Sequence, residues 1–216
     1  MAVLSVAFIA FSAPPYLSFD PSASRLDLQP GSALHYPMLA VHVAFGSVAL
    51  LTCCLQLWPW LRRTYPAVHR TSGRIYVFAG VLPAGLSGFV VAYLSTSGMP
   101  MQAATFTMGA LWLIFTFVGY RMARQRRFAE HREWMIRSFA LCLAIPVDRL
   151  WVGVFMAIAM PRLDTVYGGD HDAMMVAVAG SAFWMSWVIN LLIAEWWLRY
   201  RRPAGAVQSR TPSAMG

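Results

Sequence analysis

Long apolar runs, each about the length of a bilayer crossing, recur along this chain, and short segments between them hold most of its charge. A helix needs about 20 mostly apolar residues to cross the hydrocarbon. Residues 38–60, 75–95, 103–120 with its flanks and 173–198 satisfy that length, and 135–160 does so while carrying Pro146, Asp148 and Arg149. Inside lipid the backbone has no water to bond, so runs of this length become helices. Composition agrees: 58% of residues are hydrophobic, 12% are charged, and mean hydropathy is +0.54. No soluble globular domain is expected at those values. The expected fold is an all-α polytopic transmembrane helical bundle.

The N-terminal run is shorter, because Met1 to Phe11 is apolar but meets Pro14-Pro15. It lacks the basic start of a secretory signal. We read residues 2–18 as a first span, which makes six; a segment lying on the surface would leave five.

Charge placement orients the bundle. All 17 basic residues are arginine, and 14 fall in three clusters. These are Arg62, Arg63, Arg70 and Arg74; then Arg121, Arg124, Arg126, Arg127, Arg132 and Arg137; then Arg199, Arg201, Arg202 and Arg210. The segments between them carry only Arg25 and Arg162 against Asp20, Asp27, Asp164, Asp170 and Asp172. The positive-inside rule then predicts cytoplasmic N- and C-termini in an inner membrane. Anionic membrane lipid would balance the net charge of +8. Arginines divided among span ends give no continuous basic face, which excludes a nucleic-acid partner.

Residues 1–202 read as a single transmembrane domain, and 203–216, rich in Pro, Ala, Ser and Arg, as a disordered cytoplasmic tail. Cys53, Cys54 and Cys142 all lie within expected spans and read as small packing residues.

Helical periodicity marks three faces. His42, Gly46, Ala49, Cys53 and Gln56 form one stripe on the second span, and His131, Met135, Ser138, Cys142, Ile145 and Arg149 form another on the fifth. The third span offers Gly73, Gly80, Ala84 and Gly88, the small-residue spacing that lets helices approach closely. These three helices are expected at the centre of the bundle. Arg149, at membrane depth, is either an interior structural arginine or a donor to an anion, a haem propionate or a quinone carbonyl. Asp148 projects about 100° away from it round the helix, so the two are not automatic partners.

His69-Arg70-Thr71-Ser72-Gly73-Arg74 and His131-Arg132-Glu133-Trp134-Met135-Ile136-Arg137 stand at the heads of two spans that run in the same direction. Haem b between transmembrane helices needs two imidazoles at one depth on different helices. His69 and His131 meet that condition, with Arg70, Arg74 and Arg132 beside them for the propionates. The plainer reading of each is a solvated helix start or a contact to lipid headgroups. His42 has no histidine at its own depth on another span, and Asp170-His171-Asp172 reads as a short acidic loop rather than a cation site. No phosphate loop, nucleophile elbow or paired intramembrane carboxylates are present. The two His-Arg motifs also raise the possibility that spans two to three and four to five are duplicated units.

These residues carry a resemblance. His42 with Gly46, Ala49, Leu50 and Gln56; Leu61-Arg62-Arg63; His69-Arg70 with Gly73-Arg74 and Tyr76; and His131-Arg132 with Trp134-Met135, Arg137, Ala140-Leu141 and Arg149 resemble a bacterial family of predicted membrane proteins, domain of unknown function 2306, over about residues 35–155. No established activity comes with that resemblance. The histidine-bearing helices are distantly similar to transmembrane b-type cytochromes, although no histidine falls on the fourth or sixth span. Three functions stay open at this point. One is a haem b or quinone-linked electron-transfer protein using His69 and His131, with Arg70, Arg74, Arg132 or Arg149 as anion partners. The second is a non-catalytic membrane subunit, with a protein partner or its own copies, or a lipid-binding protein whose His-Arg motifs grip phosphate headgroups. The third is a small-solute transporter lined by His42, Gln56, Asp148 and Arg149.

Overall fold

The computed structural model describes residues 2–200, and the regular elements among them are all helical. They are α1 (Ala2–Ser12), α2 (His35–Leu57), α3 (Pro66–Leu94), α4 (Gly98–Arg124), α5 (Phe128–Ala159) and α6 (His171–Tyr200). Five of them, α2 to α6, are long and apolar enough to cross a membrane. The segment expected as a first span is an 11-residue helix followed by a separate turn of helix, Pro14–Leu17. At a rise of 1.5 Å per residue α1 covers about 16 Å, roughly half the hydrocarbon thickness. It packs on α2 and α5, and its Phe8 and Ile9 reach the main core.

Prolines set the boundaries that hydropathy misjudges. The apolar run at 38–60 breaks at Trp58, because Pro59 opens a separate short helix, Pro59–Thr64. Pro66 then opens α3, where a proline lacks only an N–H that would have had no helical partner. The His-Arg motif at 69–74 consequently lies inside the first turns of α3 rather than in the loop before it. Further along α3, Tyr76–Val81 widens into a π-helical turn just ahead of Pro83. That wider turn gives room to a proline ring that would otherwise press on the preceding carbonyl.

The small-residue face of α3 lies against α2. A Cβ built on Gly73 would sit 3.3 Å from the Gln56 side chain, on Gly80 it would sit 2.9 Å from the Ala49 backbone, and on Gly88 it would sit 3.0 Å from His42. Residue numbers rise on one helix as they fall on the other, the signature of an antiparallel pair in close contact. The stripe expected on α2 is the one used. On the other side α5 packs along both α4 and α6. A continuous core joins the layers through Ala49 and Cys53 of α2, Tyr76 and Ala84 of α3, Trp112 of α4, Phe139 and Cys142 of α5, and Trp187 of α6.

Helix order brings the end of α2, both ends of the α4–α5 turn, the start of α3 and the end of α6 to one side of the bundle. All the described members of the three arginine clusters lie toward that side, the arginine-rich end. Arg201, Arg202, Arg210 and the tail at 203–216 lie outside the described residues.

Candidate functional site

Tyr76 is the point at which α3, α4 and α5 meet. It is fully buried, its hydroxyl is 2.7 Å from Ser138 Oγ, and it accepts the Trp112 Nε1–H at 3.1 Å. Ser138 bonds Thr116 Oγ1 at 2.6 Å, and the Phe139 ring meets Tyr76 edge-on at 5.1 Å. Thus α3 and α5 touch, which the sequence alone did not establish.

The same bond fixes the depth of the two His-Arg motifs. His69 lies seven residues before Tyr76, and His131 lies seven residues before Ser138. Seven residues are close to two helical turns, so each histidine sits about 10 Å toward the arginine-rich end on the face that carries its half of the bond. Arg62, His131 and Arg70 are electrostatic neighbours of His69.

The two imidazoles are held differently. His131 Nδ1 is 2.8 Å from the Gly119 carbonyl of α4. A carbonyl only accepts, so in the neutral ring Nδ1 carries the proton and Nε2 keeps its lone pair. This is the arrangement by which metal-binding histidines are oriented. His69 Nδ1 is buried with no hydrogen-bond partner. Its backbone carbonyl accepts Gln56 Nε2 at 2.9 Å, and the same amide reaches Ser72 Oγ at 2.6 Å.

Arg70, Arg74 and Arg132 are exposed at this end, and none belongs to an ion pair among the described residues. Ion pairs among the described residues at this end include Arg127 with Glu130 on the surface and Arg137 with Glu195, which ties α5 to α6. That second pair escaped sequence reasoning because its members are 58 positions apart. Its one signal was Glu195, an acid inside the last apolar run.

His42 and Arg149 are not part of this cluster. His42 Nδ1 donates to the Ala84 carbonyl of α3 at 2.8 Å, near the opposite end of the bundle. Arg149 is 57% exposed and rests 5.8 Å from the Phe8 ring. It approaches Asp148, at 3.9 Å, because a long guanidinium can reach back across 100° of helix. The other Asp148 oxygen is buried without a partner. His42 and Gln56 are 14 residues apart on α2, about 21 Å. They therefore do not line one cavity with Asp148 and Arg149, and a transport path through these four gains no support.

Among the described residues no three His, Cys, Asp or Glu side chains converge on a metal-sized site. A haem would have to be held by a histidine pair with arginines for its propionates. The donor set at the arginine-rich end fits that demand: one imidazole has its Nε2 left for a metal, and the other has an unpartnered buried nitrogen. Neither histidine lines the cavities of about 280 and 80 Å³ found elsewhere in the bundle.

A bundle of five membrane-length helices whose charge gathers at one end defines a polytopic membrane protein. Within that class the chain belongs to the family described as predicted membrane protein (DUF2306), whose model matches residues 39–198. No curated protein and no solved structure matches it.

Proposed function

We propose that this protein is a membrane electron-transfer protein that binds haem b at its arginine-rich end, in a bacterial inner membrane with that end facing the cytoplasm. One observation carries the reading: His69 and His131 lie at equal offsets from the Tyr76–Ser138 bond on helices in contact, and His131 is fixed through Nδ1 with Nε2 left to ligate. His69 and His131 would hold the iron, and Arg70, Arg74 and Arg132 would pair with the propionates. Bound there, haem b would supply reversible one-electron storage next to the lipid phase, where quinones dissolve. The chain's own part is to set the distance between the two rings, through Tyr76 and Ser138, and to keep His131 in the ligating tautomer, through Gly119.

The test is an absorption spectrum of the detergent-purified protein, oxidised and dithionite-reduced, after expression with ample haem supply. A Soret band with sharp reduced α and β bands, lost in His69→Ala and in His131→Ala, supports the reading. A featureless spectrum, or bands that persist in both variants, refutes it.

A further inference from the structure

Residues 13–34, which join α1 to α2, lie at the end of the bundle opposite the arginines. They form two short turns of helix, Pro14–Leu17 and Pro21–Ala23, and then a tight turn in which Ser32 N–H donates to the Gln29 carbonyl at 3.2 Å. Pro30 and Gly31 stand at its corners, and Gly31 takes a φ of +76°, which a glycine adopts without strain. The turn aims the Gln29 N–H back at α2, where it donates to His35 Nδ1 at 2.9 Å. Leu28, just before it, packs on Tyr16, Tyr36 and Leu39. Thr96 Oγ1, just past the end of α3, donates to the Asp27 carbonyl at 3.3 Å. The segment is thus a strap that runs from α1 over the start of α2 to the α3–α4 loop.

His35 is 1% exposed. A ring nitrogen that accepts an N–H carries no proton, so His35 is neutral, with its hydrogen on Nε2. A protonated ring has a hydrogen on both nitrogens and would set Nδ1–H against the Gln29 N–H, donor against donor. The titratable and charged groups of the elements beside it are Tyr16 of the short helix, Asp20, Arg25 and Asp27 of the strap, Tyr36 and His42 of α2, and Tyr93 near the end of α3. Burial, rather than a charge on any of these, is what acts on the His35 ring. An imidazolium here would be buried without a counter-charge, which is costly until water reaches it. Closure carries a further cost, because the Tyr36 hydroxyl beside Leu28 is buried with no hydrogen-bond partner.

We infer that residues 13–34 are a pH-sensitive strap, latched through Gln29 by neutral His35 and released when that ring takes up a proton. Protonation removes the acceptor of the latch and at the same time creates a charge that only solvent can stabilise, so both effects favour the open strap. Opening also lets water reach the Tyr36 hydroxyl. The sign follows from the neutral ring: closure is favoured at high pH and lost as pH falls through the histidine range. The device lies at the opposite end of the bundle from His69 and His131 and does not depend on haem.

Hydrogen exchange of the full chain in detergent, read by mass spectrometry over residues 26–34, tests this. It is measured at about pH 8 and about pH 5, either side of the ordinary histidine value of about 6.5, and each rate is normalised to that of a synthetic peptide of the same residues at the same pH. In the wild type, protection should fall roughly tenfold between the two. His35→Asn places an amide oxygen where Nδ1 stood, an acceptor that does not titrate, and should keep protection at both pH values. His35→Ala removes the acceptor and should show the low protection at both. If His35→Ala fails to fold, His35→Asn against wild type carries the test. Wild-type protection that does not change with pH, or an equal fall in His35→Asn, would overturn the proposal.

Discussion

Replacing Tyr76 by Phe removes one oxygen from the junction of α3, α4 and α5 and leaves the ring in place against Phe139. The change costs two hydrogen bonds, and their consequences differ. Ser138 keeps Thr116 as a partner at 2.6 Å, whereas the Trp112 Nε1–H loses the acceptor it has in this structure. An orphaned buried donor costs about 1–3 kcal/mol in water-soluble proteins. Side-chain hydrogen bonds within a membrane bundle average only about 0.6 kcal/mol, with a maximum near 1.7, because the unfolded helices in lipid also find partners. Two bonds are lost at a residue with no exposed surface, so the upper part of the membrane range applies, and we expect about 1–2 kcal/mol.

For a chain of this size that loss lowers the melting temperature by roughly 2–8 °C. Thermal unfolding of wild type, Tyr76→Phe, Ser138→Ala and the double variant in one detergent gives both the loss and the coupling energy. The expected coupling is about 0.6 kcal/mol or more. Strict additivity of the two substitutions, with melting of Tyr76→Phe unchanged to within about 1 °C, would refute the claim that this bond sets the register of α3 against α5.

Two further predictions concern packing and charge. Gly80→Ala places a Cβ 2.9 Å from the Cα and Cβ of Ala49, a backbone wall with no flexible end to move, so about 1–3 kcal/mol of destabilisation is expected in the same melting assay. Ala49→Gly in that background should recover part of it, and full stability of Gly80→Ala alone would contradict the close α2–α3 contact. Glu195→Gln should leave Arg137 without its carboxylate, with a side chain only 15% exposed. Because both partners keep some solvent access, the expected loss is about 1–3 kcal/mol, below that for a fully buried pair, and replacing both residues by Leu should cost less than Glu195→Gln.

Much of this architecture was legible as pattern, and the pairings were not. The spacing of Gly73, Gly80 and Gly88 announced a close helix contact, and the stripe of His42, Ala49 and Gln56 announced another. Periodicity on one helix says nothing about its register against the next, so only the structure matched them as Gln56 with Gly73, Ala49 with Gly80 and His42 with Gly88. Hydropathy carried the run at 38–60 through Trp58 because it gives no weight to Pro59, whose ring starts a new helix. The equal depth of His69 and His131 followed from counting residues. Their different hydrogen-bond environments depend on Gly119 and Gln56, which no local rule singles out.

That difference bears on the idea that α2–α3 and α4–α5 are duplicated hairpins. Each hairpin is clasped by a histidine to a backbone carbonyl of its other helix, His42 to Ala84 and His131 to Gly119, but at opposite ends. The positional equivalent of His131 in the first hairpin is His69, and there the clasp is made by Gln56, which bonds the His69 carbonyl and Ser72. The His69 ring is thereby released from structural duty, its Nδ1 buried and unpartnered. His131→Ala should therefore cost stability, about 1 kcal/mol for the lost bond to Gly119, together with any ligand held at this end. His69→Ala should cost the ligand and little else, since it breaks no side-chain bond seen here. If the two variants melt alike while both lose the spectrum, His131 is no more structural than His69, and the asymmetry drawn from the Gly119 contact is wrong.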